Sequence, residues 1–406
     1  MGEGPGAPAT GTGADRAAGW PGFLPLLRGP QVWPTPGGWD QRAIIDDPDA
    51  SAAGAHARTA VESGAMSLLL RIAAGGEGEG RGVVCAGPAG VAAALEGVVL
   101  EAAPVHLRAG GAAPMVAGWL DAVLEGRGLP PERVRLAEGC DPLGAALSAD
   151  PPADVRLALS AATERAQLAW QAKADRTVFL ASGMVAADGG ADEAAEIGWL
   201  VSAGTEYLRS MLTVGLPPAA AASLIELEVF ADVDLFATVA KIRALRRCWA
   251  TVLAAVGVPS TADGGPHPMR LPGVRVHAIA GGRWLSPDDP WSNAIRGTIA
   301  ALGAVLGGTD SLAVESFDAA GDERSDLGRR LALTTGLVLA HECGLGRLLD
   351  PTGGSHHVTE LSDQFAAAGW AQFQQVEAGG GCLGAVADGA MLTRLTSAHA
   401  TGMDPA

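Results

Sequence analysis

Residues 350–361, DPTGGSHHVTEL, set a glycine-rich turn directly before two adjacent histidines. Such a turn can cradle a phosphate on backbone N–H groups, its histidines can hold a metal, or it can only redirect the chain. On any regular element His356 and His357 point in different directions, so they do not share one metal ion. His341 precedes Glu342 in LAHECGLG, which lacks the second histidine of H-E-x-x-H. GGEGEGRG (75–82) has the glycine content of a phosphate loop, but its glutamates repel anions and no G-K-[ST] follows, so it reads as a surface loop. GPAGVAAALEG (87–97) reads as a helix start. There is no G-x-S-x-G nucleophile elbow, and the carboxylates are too scattered to nominate an acid/base pair. Tyrosine occurs once, at Tyr207, and lysine only at Lys173 and Lys241, which removes most mechanisms that need a catalytic Tyr or Lys. Read from its own residues, the chain shows no metal site and no chemistry.

The elements that would position a site are plainer. Short β-type runs alternate with long helical ones: MSLLLRI (66–72), PVHLRA (104–109), RVRLAEG (133–139), RTVFLASG (176–183), SLIELEVFA (223–231), GVRVHAIAGG (273–282) and DSLAVESFDA (310–319). Between them, ADEAAEIGWLVSAGTEYLRSML (191–212) and DLFATVAKIRALRRCWATVLAAVG (234–257) return apolar residues at helical spacing. Repeated β-then-α units with near-continuous apolar strands predict a parallel sheet covered by helices. With an eighth short strand expected around RLLDP, the leading fold is α/β, a (β/α)8 TIM-type barrel; an open doubly wound sheet is the alternative. Residues 1–50, rich in Gly, Ala and Pro, read as a disordered tip and an extended arm, and residues 51–406 as the barrel with extra C-terminal helices.

Acidic residues outnumber basic ones 45 to 28, for a net charge of −17, and no long basic run exists; nucleic acid and anionic lipid are set aside as partners. Five widely spaced cysteines (Cys85, Cys140, Cys248, Cys343, Cys382) give neither a disulfide framework nor a CxxC motif. No signal-peptide run and no membrane span is visible, so a cytoplasmic, non-membrane protein is expected.

The C-terminal half resembles the barrel domain of the methylmalonyl-CoA mutase family, adenosylcobalamin-dependent acyl-CoA mutases. DLFATVAKIRALRRCWATVL, VHAIAGGRWLSPDDPWSNAIRGTIAALGAVLGGTDSL and RRLALTTGLVLAHECGLGRLLDPTGGSHHVTEL carry the resemblance. The last is similar to the family's R-I-A-R-N-T, E-E and D-P-x-G-G-S signature; Glu342, Arg347, Asp350, Pro351, Gly353, Gly354 and Ser355 then read as structural, and the turn as a helix start. Upstream, PGFLPLLRG (21–29) is similar to the family's arm.

Catalytic members, the resemblance implies, hold acyl-CoA along the barrel axis and generate a radical above cobalamin. The family's W-T-I-R-Q-Y falls on WDQRAI, which puts Ile44 at the tyrosine; S-G-Y-H-M-Q falls on SGMVAA, which puts Val185 at the histidine and Ala187 at the glutamine. In R-T-H-S-Q the histidine is kept as His277 but the glutamine is Ile279, and an adenosyl-contacting glutamate becomes Ala319. The carboxylate-binding arginine of V-R-N-T-Y has no counterpart near CDPLGAALSADPP. Neither Ile nor Val can donate a hydrogen bond to a carbonyl oxygen. No catalytic residue is therefore expected. His277 reads as a core histidine ahead of a vestigial, weak acyl-CoA contact.

DPLG (141–144), GWDQR and VHAIAGGRWLSPDDPWSN look like the family's small-chain versions, and a cobalamin-binding domain is not expected in this chain. The resemblance implies a non-catalytic small (β) subunit pairing with a catalytic large mutase subunit as a heterodimer. Adenosylcobalamin would be bound by the partner and no cofactor by this chain. An active mutase barrel using a separate cobalamin-binding chain, or a non-enzymatic mutase-binding regulator, are the alternatives.

Overall fold

Strict alternation along short strands sorts side chains between a ring's interior and its helical coat. The computed structural model describes residues 38–74, 82–148, 154–258, 275–321 and 324–397. Its strands are β1 (Asp40–Ile45), β2 (Ser67–Ala74), β3 (Val83–Cys85), β4 (Val105–Arg108), β5 (Leu136–Cys140), β6 (Arg176–Ser182), β7 (Ile225–Ala231), β8 (Val276–Ala280) and β9 (Ser311–Val314). They pair in parallel in the order β1-β9-β8-β7-β6-β5-β4-β2, and β1 also pairs with β2, with Arg42 opposite Ser67, which closes an eight-stranded (β/α)8 barrel. β3 lies outside the ring, paired only with the end of β2.

All seven strands read from the sequence are present. The eighth is not at RLLDP, where Leu345–Arg347 forms a 3-10 turn and the chain runs on extended. It is β1, inside the stretch expected to be an arm without regular structure. β1 was hidden because two of its inward positions, Asp40 and Arg42, are polar, and of its coat-facing residues Gln41 is polar too, leaving Ala43 and Ile45 as the apolar ones. The arm motif at 21–29 and residues 75–81 of the glycine-rich loop lie outside the described residues.

Outward strand residues such as Leu68, Leu70, Val105, Leu107, Leu227, Val229, Val276 and Ala278 form the two large apolar clusters beneath the helices. Helix starts are set by side-chain caps directly after the strand-end loops: Asp49 accepts from the Ala52 N–H at 2.8 Å, Asp234 from Ala237 at 2.9 Å and Asp192 from Ala195 at 2.8 Å. Beyond β9, helix Asp326–His341 completes the ring. Helix His356–Ala378 then packs across Glu193–Thr213 and Leu235–Ala255 as an additional layer.

Candidate functional site

Inside the ring, the side chains of alternate strand positions build a charged lattice where an apolar core would be the default. Arg42 on β1 donates from both terminal nitrogens to Glu226 on β7, each at 2.8 Å, and from Nε to Asp40 at 3.2 Å. Ser67 on β2 donates to the same Asp40 at 2.7 Å. Two residues further along, Glu228 accepts from Arg108 of β4 and, at 2.6 Å, from the Ser182 hydroxyl of β6. Burial would raise the Glu226 carboxyl, but the facing Arg42 guanidinium overrides it and holds the group well below the ordinary carboxylate range. Burial, then the Arg42 charge, push His106 down to about 3, and the same two causes drive His277 well below its usual value. Both imidazoles are therefore neutral. This lattice was missed in the sequence, although IELEV, VHLR and DQR each place charges at alternate positions of a strand with no exposed face.

His277 is fully buried, with Nδ1 2.9 Å from the Ser311 hydroxyl, while Nε2 has no hydrogen-bond partner among the described residues. An apolar plug interrupts the lattice, and beyond it Arg71, two residues past Leu69 on β2, pairs with Glu315. Leu69, Ile279 and Ala313 pack together, with Ile44 and Met184 against them. The structure thus brings together Ile44 and Ile279, two of the five positions singled out by the resemblance, and they fill the axis. Val185 and Ala187 lie on the short helix Met184–Asp188 after β6, Val185 packed against the large apolar cluster and Ala187 buried, and Ala319 is buried in the loop after β9. None of the five carries a side-chain donor.

A cavity of about 600 Å³ opens beside this plug, between helices Ala50–Glu62 and Asp326–His341 at the C-terminal ends of β1 and β9. Ile44 and Arg42 form part of its inner wall. At its rim Asp46 pairs with Arg324 and, at 3.5 Å, Arg71; Asp47 pairs with Arg329 and, at 2.8 Å, His56.

DPTGGS is a helix start pinned from below. Buried Arg243 donates to Asp350 at 2.8 Å and to the Thr352 hydroxyl at 3.1 Å. Gly354 takes φ +84°, the left-handed conformation that favours glycine, and the Ser355 side chain caps His356–Ala378 by accepting from Val358 N–H. Pro351 and Gly353 complete the turn, while Glu342 and Arg347 are exposed. His356 and His357 are also exposed, His357 edge-on to Phe236, and no group of three or more potential ligands for a metal occurs among the described residues.

The family model described as Methylmalonyl-CoA mutase matches residues 9–403. The chain is similar to the methylmalonyl-CoA mutase small subunit of Streptomyces virginiae, with 33% identity over 384 residues, 94% of this chain and 59% of that one. It is similar to the small subunit of Propionibacterium freudenreichii subsp. shermanii, with 31% identity over 376 residues, 92% of this chain and 55% of that one. Methylmalonyl-CoA mutase of Rhizobium meliloti is 32% identical over 205 residues, 50% of this chain and 28% of that one. The chain therefore spans between a half and three fifths of the length of these two small subunits. A barrel built from these strands and a family match along nearly the whole sequence lead to one conclusion: this chain belongs to the methylmalonyl-CoA mutase family.

Proposed function

We propose that this chain is a non-catalytic small subunit that pairs with a large, catalytic mutase chain interconverting methylmalonyl-CoA and succinyl-CoA. The observation that carries the reading is the filled axis: Arg42 and Glu226 bridge the interior, and Ile44, Leu69, Ile279 and Met184 close it above. An acyl-CoA threaded along this axis would have to break a buried, bidentate ion pair, which costs several kcal/mol per uncompensated charge. A corrin and its adenosyl group above this mouth would meet apolar side chains at the five family positions. The residues do not fit adenosylcobalamin, so its binding and chemistry are assigned to the large chain. The relatives named small subunits support the subunit role. No helix among the described residues is long and apolar enough to cross a membrane, and the five cysteines are unpaired, which supports placing the complex in the cytoplasm.

Co-expression with a methylmalonyl-CoA mutase large chain, size-exclusion chromatography and an isomerase assay with adenosylcobalamin test this. A 1:1 complex is expected, with no turnover by this chain alone. Turnover by the isolated chain would refute the non-catalytic reading, and failure to form a complex would refute the subunit reading.

A further inference from the structure

The cavity beside β1 has no part in that reading, and its charges can be followed one by one. Asp46 and Glu315 are both held by Arg71 and Arg324, and Asp47 is held by Arg329 and His56. Asp326 is fully exposed to water and lies 3.1 Å from Arg329. Arg330, exposed on the same wall, has no carboxylate partner among the described residues. The remaining lining is mostly small and apolar, with Ala43 and Val314 from the strands, Leu333 from one helix and Ala55 from the other, interrupted by Arg42 and the hydroxyls of Thr59, Ser63 and Ser316. We propose that this cleft is a binding pocket for a small monocarboxylate, its apolar chain lying on the strand floor and its carboxylate on Arg330.

The volume of about 600 Å³ lies in the range of small-molecule sites, and the C-terminal ends of barrel strands are where such sites sit. A guanidinium offers a carboxylate two parallel hydrogen bonds. A polyanion would meet the Asp47 and Glu315 carboxylates. A cation would find every buried carboxylate already paired. Arg330, an arginine with no carboxylate of its own among the described residues beside a mostly apolar cleft, therefore fits a single negative head on a hydrocarbon body.

Calorimetric titration of the full chain with octanoate, below its micelle-forming concentration, tests the proposal, with octanamide and octylamine as controls. Octanoate is expected to bind at one site, R330Q to weaken it about tenfold, as the loss of a charge-assisted pair should, and A55W, which fills the cleft from an exposed helix position, to abolish it. Both variants should keep the parent's urea midpoint. The proposal is overturned if octanoate does not bind, if it binds R330Q and A55W as it binds the parent, or if octanamide binds equally well.

Discussion

Removing Arg42 alone would leave Glu226 as an uncompensated carboxylate in a closed barrel, 2.8 Å from where its partner had been. R42M should therefore cost about 3–5 kcal/mol, whereas R42M/E226M, which removes both charges, should recover most of that loss. Urea midpoints of the two variants check the difference; equal loss in both would mean that the pair is not a unit. The same reasoning bears on placing at Ile44 the tyrosine that the resemblance implies there. I44Y adds a ring and a hydroxyl to a plug already filled by Leu69, Ile279 and Met184. It should lose about 1–3 kcal/mol through overpacking and gain no isomerase turnover, since the axis below stays bridged by Arg42 and Glu226. The five positions were assigned from the sequence because a motif of the resembled family names each one. The ion lattice was not, because Arg42 and Glu226 are 184 residues apart and only barrel closure brings them together.

Elements succeed or fail on how closely they can approach. Where helix His356–Ala378 crosses Glu193–Thr213, a Cβ on Gly198 would lie 2.5 Å from the Gln372 Cβ and 3.3 Å from the Gly369 carbonyl oxygen. Alanine is the better helix former by about 1 kcal/mol, but a Cβ cannot swing aside, so the overpacking cost of about 1–3 kcal/mol wins. G198A should therefore destabilise. Gly118, in helix Ala113–Gly126, has nothing within 4 Å of an added Cβ, and G118A should stabilise by about 0.5–1 kcal/mol. Opposite shifts in thermal midpoint are the expected result; a stabilised G198A would show that the crossing has slack. Seven barrel strands were readable because both of their neighbours are helical segments with clear periodicity. β1 was not, since it follows a Pro-rich stretch and turns the polar Asp40 and Arg42 inward. RLLDP imitated a strand through its paired leucines, but Asp350 is tied to Arg243 and the chain there runs into a cap.

Stability against pH is a property of the whole barrel, and here buried groups pull it in opposite directions. His106, whose folded pKa of about 3 lies below its unfolded value of 6.5, contributes stability that is complete above pH 6.5 and is lost as pH falls toward 3. Its full swing is on the order of 5 kcal/mol. His277, lowered by the same burial and the same Arg42 charge, acts in the same direction. Asp141 works the other way: burial holds its carboxyl up at about 6, against hydrogen bonds from the Tyr207 hydroxyl and the Gly144 N–H. Its contribution is full below its unfolded value of 3.8 and is lost as pH rises through 6, on the order of 3 kcal/mol. Between pH 6.5 and 4 the histidine losses exceed what Asp141 restores, so the urea midpoint of the parent should fall with acidification. The fall should be shallower in H106Q, which has no proton to take up, and steeper in D141N, which has lost the opposing group. Parallel slopes in all three proteins would mean that acid unfolding starts outside the barrel interior. A shallower slope in H106Q would place it at the axial lattice, and a steeper one in D141N would show that the buried Asp141 opposes it.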